Sequence, residues 1–199
     1  FKFKLNMVSS SSSKSKKRAS PEENTDGCQH AFKALKKDQD FPAVNHEFTM
    51  KDLYSEMTSS KSFLKKVFKN PNHAGKNGWT ALILGAVSGK KQLVESLLEC
   101  EEVDVNLCDH NGYSPLIWAA DKGYEDIVEN ILSHEDTRVN QQDNNGYTAL
   151  MWAADLGNTG VVAILLKHPD IDVNIQDADG QTALIWAADK GHHQIVKRL

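Results

Sequence analysis

Much that marks a secreted or membrane protein is missing from this sequence. Only three of 199 residues are cysteine, Cys28, Cys100 and Cys108, an odd count without CxxC spacing. That argues against a disulfide framework and for a reducing compartment. No Asn-x-Ser/Thr sequon occurs. Phe1 to Ser13 holds no apolar run of signal-peptide length, and no stretch approaches the ~20 apolar residues that span a bilayer. The expected location is the cytoplasm or the nucleus, away from membranes. Chemistry is equally thin. Ser88-Gly89-Lys90-Lys91 lacks the glycine-rich loop and hydroxyl of a phosphate cradle. No serine or cysteine sits in a nucleophile motif. The eight histidines show no metal spacing, and Cys28-x-His30 lacks a second ligand pair. These absences predict a protein that is not an enzyme and that takes no cofactor, metal or small-molecule substrate.

What is present is an ordinary globular balance, 40% apolar and 25% charged, distributed unevenly. Residues 1–76 carry 15 Lys/Arg against 8 Asp/Glu, a net +7, while residues 77–199 carry 8 against 19, a net −11. A basic leader precedes an acidic body. The chain opens at Phe1, with Met7 a candidate initiator, and stops at Leu199 in mid-pattern.

The body repeats. Asn77-Gly78-Trp79-Thr80-Ala81-Leu82 returns as Asn111 to Leu116, Asn145 to Leu150 and Asp179 to Leu184, each start 34 residues after the last. Gly89, Gly123, Gly157 and Gly191 keep the same spacing, as do Val105-Asn106, Val139-Asn140 and Val173-Asn174. Asn-Gly and Asp-Gly suit a tight hairpin tip. Thr80, Ser114, Thr148 and Thr182 then supply a hydroxyl to unpartnered N–H groups at a helix start. Pro115 fits the first helical position, and each helix is expected to end at the glycine. Paired alanines at 119–120, 153–154 and 187–188 keep that helix slim. A second helix carries Leu93, Val94, Leu97 and Leu98 in one apolar stripe. Helix pairs this short bury their apolar faces only by stacking.

Gly-x-Thr-(Ala/Pro)-Leu, Ala-Ala-x-x-Gly, Leu-Leu and Asp-Val-Asn together resemble the ankyrin repeat over residues 77–199. The resemblance implies an all-α ankyrin-repeat solenoid, with units starting near 77, 111, 145 and 179 and the last incomplete. Two departures stand out. Ile83, Ile117, Met151 and Ile185 replace the family's usual histidine, and the period is 34 rather than 33. Upstream, residues 29–76 read as a helical segment and degenerate N-terminal capping repeat, since Asn72 and Phe63-Leu64 lie 34 residues before their counterparts. Residues 1–28 read as a disordered basic, serine-rich leader.

Such arrays bind proteins through hairpin tips and a concave first-helix face. Carried over by position, the binding candidates are His110 and Asn144 at the tips, and Trp79, Tyr113, Tyr147 and Gln181 after the glycines. Asp121, Lys122, Asp155, Leu156, Asp189 and Lys190 follow from the first helices. The aromatic row offers interface anchors, or else packs sideways on the next hairpin. Trp118, Trp152 and Trp186 form either an aromatic binding strip or semi-buried helix packing, and packing is favoured because Leu84 fills the same position in the first unit. Asp121, Asp155 and Asp189 form either an acidic ladder or a solvated face. Asn106 and Asn174 match an asparagine hydroxylation pattern of the family, which Arg138 breaks for Asn140, and Ser20 is a candidate phosphorylation site. The expected function is non-catalytic binding of a protein by a monomeric scaffold, adaptor or inhibitor, with nucleic acid disfavoured by the acidic body. The alternatives are a targeting module of an enzyme whose catalytic domain lies beyond residue 199, for which Ile195, Val196 and Leu199 would face a further unit, and a nuclear regulatory cofactor using Lys14–Arg18.

Overall fold

The computed structural model describes residues 70–75 and 77–199, which hold eight helices. The leader, Ser20 and the capping segment up to residue 69 lie outside the described residues. The helices form four pairs: α1 (Ala81–Val87) and α2 (Lys91–Leu98), α3 (Pro115–Lys122) and α4 (Glu125–Leu132), α5 (Ala149–Asp155) and α6 (Thr159–Leu165), α7 (Ala183–Asp189) and α8 (His193–Val196). Each pair corresponds to one sequence unit.

Every first helix starts at the predicted hydroxyl. Thr80 Oγ1, Ser114 Oγ and Thr148 Oγ1 each accept from the backbone N–H three residues on at 3.2 Å, and Thr182 Oγ1 does so at 3.5 Å. The second helices have no side-chain cap. Their position depends instead on the preceding glycine: at Gly123, φ +72° turns the chain back so that Tyr124 N–H reaches Ala119 O at 3.0 Å.

The pairs stack in two layers. α1, α3, α5 and α7 pack in sequence in one layer, and α2, α4, α6 and α8 in the other. Between the layers runs one continuous apolar core, including Leu82, Ile117, Ile127, Leu150, Met151, Val162 and Leu165. Alanines 119, 120, 153 and 154 are fully buried, which is what lets adjacent first helices approach. Ile83, Ile117 and Met151 are buried where the family usually has histidine; apolar packing replaces a polar contact there. Within α7 the pattern changes. Leu184 and Ile185 are exposed, whereas their counterparts Leu150 and Met151 are buried. Ile195, expected on the open face, is instead fully buried between the layers, a correction that follows from its place on the inward stripe of α8.

The loops after the second helices are joined by asparagines. Asn106 Nδ2 donates to Asp136 O at 2.7 Å and its Oδ1 accepts from Arg138 N–H at 2.8 Å. Asn140 makes the same two bonds to Asp170 and Asp172, and Asn72 to Glu102 and Asp104. One amide thus satisfies a donor and an acceptor of the next unit. Asn106→Ala is expected to lower stability by about 1–2 kcal/mol, read as a lower urea midpoint. An unchanged midpoint would mean that water replaces the amide at no cost.

Cys108 is a free thiol, half-buried, and burial with neighbouring Asp109 raises its pKa. Cys100 is buried and disulfide-bonded. One bridge at Cys100 is a single cross-link and not the disulfide framework that the odd count argues against.

Candidate protein-binding surface

The two aromatic rows interlock. Trp79 lies 5.3 Å from Trp118, centroid to centroid, and Trp118 lies 4.8 Å from Tyr113. Tyr113 is 5.5 Å from Trp152, Trp152 is 5.1 Å from Tyr147, and Tyr147 is 5.3 Å from Trp186. Six half-buried rings therefore form one file across the four units, all tilted, with separations in the favourable range for aromatic pairs. Each post-glycine ring touches the tryptophan of its own first helix, where it has one, and that of the next. Sequence spacing separates these rows by five positions; stacking merges them.

A buried aspartate holds each tryptophan. The indole N–H groups of Trp118, Trp152 and Trp186 donate to Oδ2 of Asp109, Asp143 and Asp177 at 3.1, 3.0 and 2.8 Å. The other carboxylate oxygen closes the hairpin tip. Asp143 Oδ1 accepts from the N–H groups of Asn145 at 2.8 Å and Tyr147 at 3.0 Å, and Asp109 and Asp177 repeat the arrangement. These three aspartates were absent from the sequence candidates. Their signal was available, since they too recur every 34 residues, two before the Asn or Asp of each tip. The first unit has Gly75 there and Leu84 in place of tryptophan, so it lacks this tie; Trp79, at the post-glycine position of Tyr113 and Tyr147, makes no indole hydrogen bond among the described residues.

The remaining candidates lie around this file. His110 and Asn144 are exposed at the tips, where Asn144 Nδ2 donates to His110 O at 2.9 Å. Gln181, half-buried, stands where the earlier units have rings. Asp121 pairs with Lys122 at 2.6 Å, and Lys190 lies 3.5 Å from Asp155 and 3.7 Å from Asp189. Asp121 and Asp155 are mostly buried while Asp189 is open, so neither a uniform acidic ladder nor a freely solvated face describes them. Leu156 is 46% exposed. Both side-chain ends of Asn106 are engaged, whereas Asn174 is exposed.

Electrostatically the file is negative. Burial raises the Tyr113 pKa well above that of an ordinary phenol, with Asp143, Asp121 and Asp109 adding to it. Tyr147 is raised in the same way, by burial and then by Asp177 and Asp155. Both phenols are neutral donors across the physiological range.

A family model described as ankyrin repeats, in three copies, matches residues 52–143 and 130–199. The chain belongs to the ankyrin-repeat family. No curated protein matches it. Ankyrin repeats are generally protein–protein interaction modules, and the match begins upstream of the first complete Asn-Gly tip. Among the described residues no helix is long and apolar enough to cross a membrane, and no cluster of His, Cys, Asp or Glu could hold a metal ion.

Proposed function

We propose that this ankyrin array is a non-catalytic recognition module that holds a protein partner on its hairpin tips and first helices. The observation that carries this reading is the aromatic file. Six rings, flanked by the open side chains of His110, Asn144, Leu156 and Asp189, provide a strip of rigid, amphipathic area of the kind favoured at interfaces. The second helices have no such strip; α4 shows Glu125, Asp126 and Glu129 outward. A scaffold, an adaptor and an inhibitor would all use the same surface, as would a targeting module of a larger enzyme or a nuclear cofactor.

The test takes a partner recovered by affinity capture with residues 1–199 and measures its binding by calorimetry. His110→Ala, Leu156→Ala and Asp189→Ala combined are expected to weaken binding by about tenfold or more. Gln92→Ala with Glu129→Ala, exposed on α2 and α4, should leave it within about twofold. The reverse pattern would move the contact to the second helices and end this reading.

A further inference from the structure

One position distinguishes the middle unit from its neighbours. Lys122 Nζ lies 5.4 Å from the Trp118 ring centroid, and Lys190 Nζ lies 5.5 Å from that of Trp186. Each lysine is four residues after its tryptophan, so one helical turn places its ammonium over the ring. The corresponding residue after Trp152 is Leu156, whose N–H donates to Trp152 O at 3.1 Å and whose side chain is exposed. Trp152 is therefore the one indole–aspartate unit with no lysine of its own above it.

The carboxylates for such a cation are nevertheless in place. Lys190 is served by Asp189 of its own unit and Asp155 of the unit before. By the 34-residue register, a cation over Trp152 would share Asp155 with Lys190 and Asp121 with Lys122, which stand 3.5 and 2.6 Å from them. Asp155 Oδ1 is buried and accepts no hydrogen bond, and it is ion-paired with Lys190 Nζ at 3.5 Å. Tyr113 and Tyr147 both lie against Trp152, at 5.5 and 5.1 Å between centroids.

We propose that the middle unit takes its cation from the partner: a Lys or Arg side chain of a basic segment seats over Trp152, where Lys122 and Lys190 serve Trp118 and Trp186. This rests on the recognition reading above and narrows it to a basic partner. The net −11 of residues 77–199 favours such a segment, and the exposed face of Leu156 borders its aliphatic stem.

The probe is a fluorescein-labelled octa-arginine peptide, followed by fluorescence anisotropy at physiological salt, with octa-glutamate as control. Leu156→Lys supplies the internal cation and should weaken octa-arginine binding about tenfold; Gln92→Lys, the same charge change on α2, should weaken it less than about twofold. Leu156→Glu should tighten binding by at least about twofold, against no change for Gln92→Glu. Matching urea midpoints for the variants and the parent chain show that each remains folded. Equal losses for Leu156→Lys and Gln92→Lys would overturn the proposal, and so would octa-glutamate binding as tightly as octa-arginine. Deleting residues 14–18 should leave the affinity unchanged; a tightening on deletion would make the chain's own basic leader the occupant and overturn the partner assignment. Any of these failures leaves the recognition surface standing, because that is read from the captured partner and from His110, Leu156 and Asp189 together.

Discussion

Asp143→Ala is expected to destabilise the array by about 3–4 kcal/mol, a large share of what a small array has to lose. The side chain is 6% exposed and accepts three hydrogen bonds, from Asn145 N–H, Tyr147 N–H and the Trp152 indole. Alanine leaves three donors without an acceptor in a site closed to solvent on most sides, and that penalty exceeds the value of any one bond. Tip and ring lose their tie together, and Trp152 contacts both Tyr113 and Tyr147, so the effect should spread to the adjoining unit. Asp143→Asn should fall between, at about 2 kcal/mol, since one amide oxygen still serves the two backbone groups while the NH2 faces the indole N–H. Asp179→Ala, at an exposed tip residue, is the control and should change little. Urea unfolding followed by tryptophan fluorescence gives all three values; a loss below 1 kcal/mol for Asp143→Ala, by the usual scale of buried hydrogen bonds, would show that water substitutes for the carboxylate.

Gly146→Ala should cost about 2–4 kcal/mol and Gly180→Ala only about 1 kcal/mol, although both occupy the same place in the repeat. Their backbones match, at φ +85° and +76°, so the strain of putting a side chain in the left-handed region is common to both. Their surroundings differ. A Cβ on Gly146 would stand 2.9 Å from Ala178 N and from Asp177 Cα, on the strip of backbone where Ala178 N–H donates to Asn145 O at 3.0 Å. A Cβ on Gly180 meets nothing within 4 Å. The difference between the two losses isolates the tip-to-tip contact, and equal midpoints in parallel urea titrations would remove that contact from the account.

Much of this was readable in the sequence, because the repeat writes local chemistry once per unit. The Thr and Ser caps, the left-handed glycines and the paired alanines depend on residues only a few positions apart, and the structure bears them out. Leu156 could also be seen to interrupt a column of lysines at 122 and 190, though only as a change of residue type. What escaped depends on how units sit against each other. Sideways packing of the post-glycine rings is one of two readings the sequence allows; that Tyr113 meets both Trp118 and Trp152 follows from the offset between stacked hairpins, which no spacing along the chain specifies. Asp109, Asp143 and Asp177 were overlooked for a related reason. In a sequence an aspartate beside Asn-Gly reads as turn chemistry, and its second oxygen finds the indole nine residues on only after the helix has folded back. Ile195 departs from the open-face expectation because the inward stripe of α8 is closed by its own and neighbouring helices, while α7 carries the open apolar residues.

The most direct test follows the four indole N–H resonances by amide-type hydrogen exchange in NMR. Trp118, Trp152 and Trp186 donate to buried carboxylates and should exchange at least about tenfold more slowly than Trp79, whose indole has no acceptor among the described residues. Four equal rates would contradict the claim that a file of aspartate-held rings organises this surface.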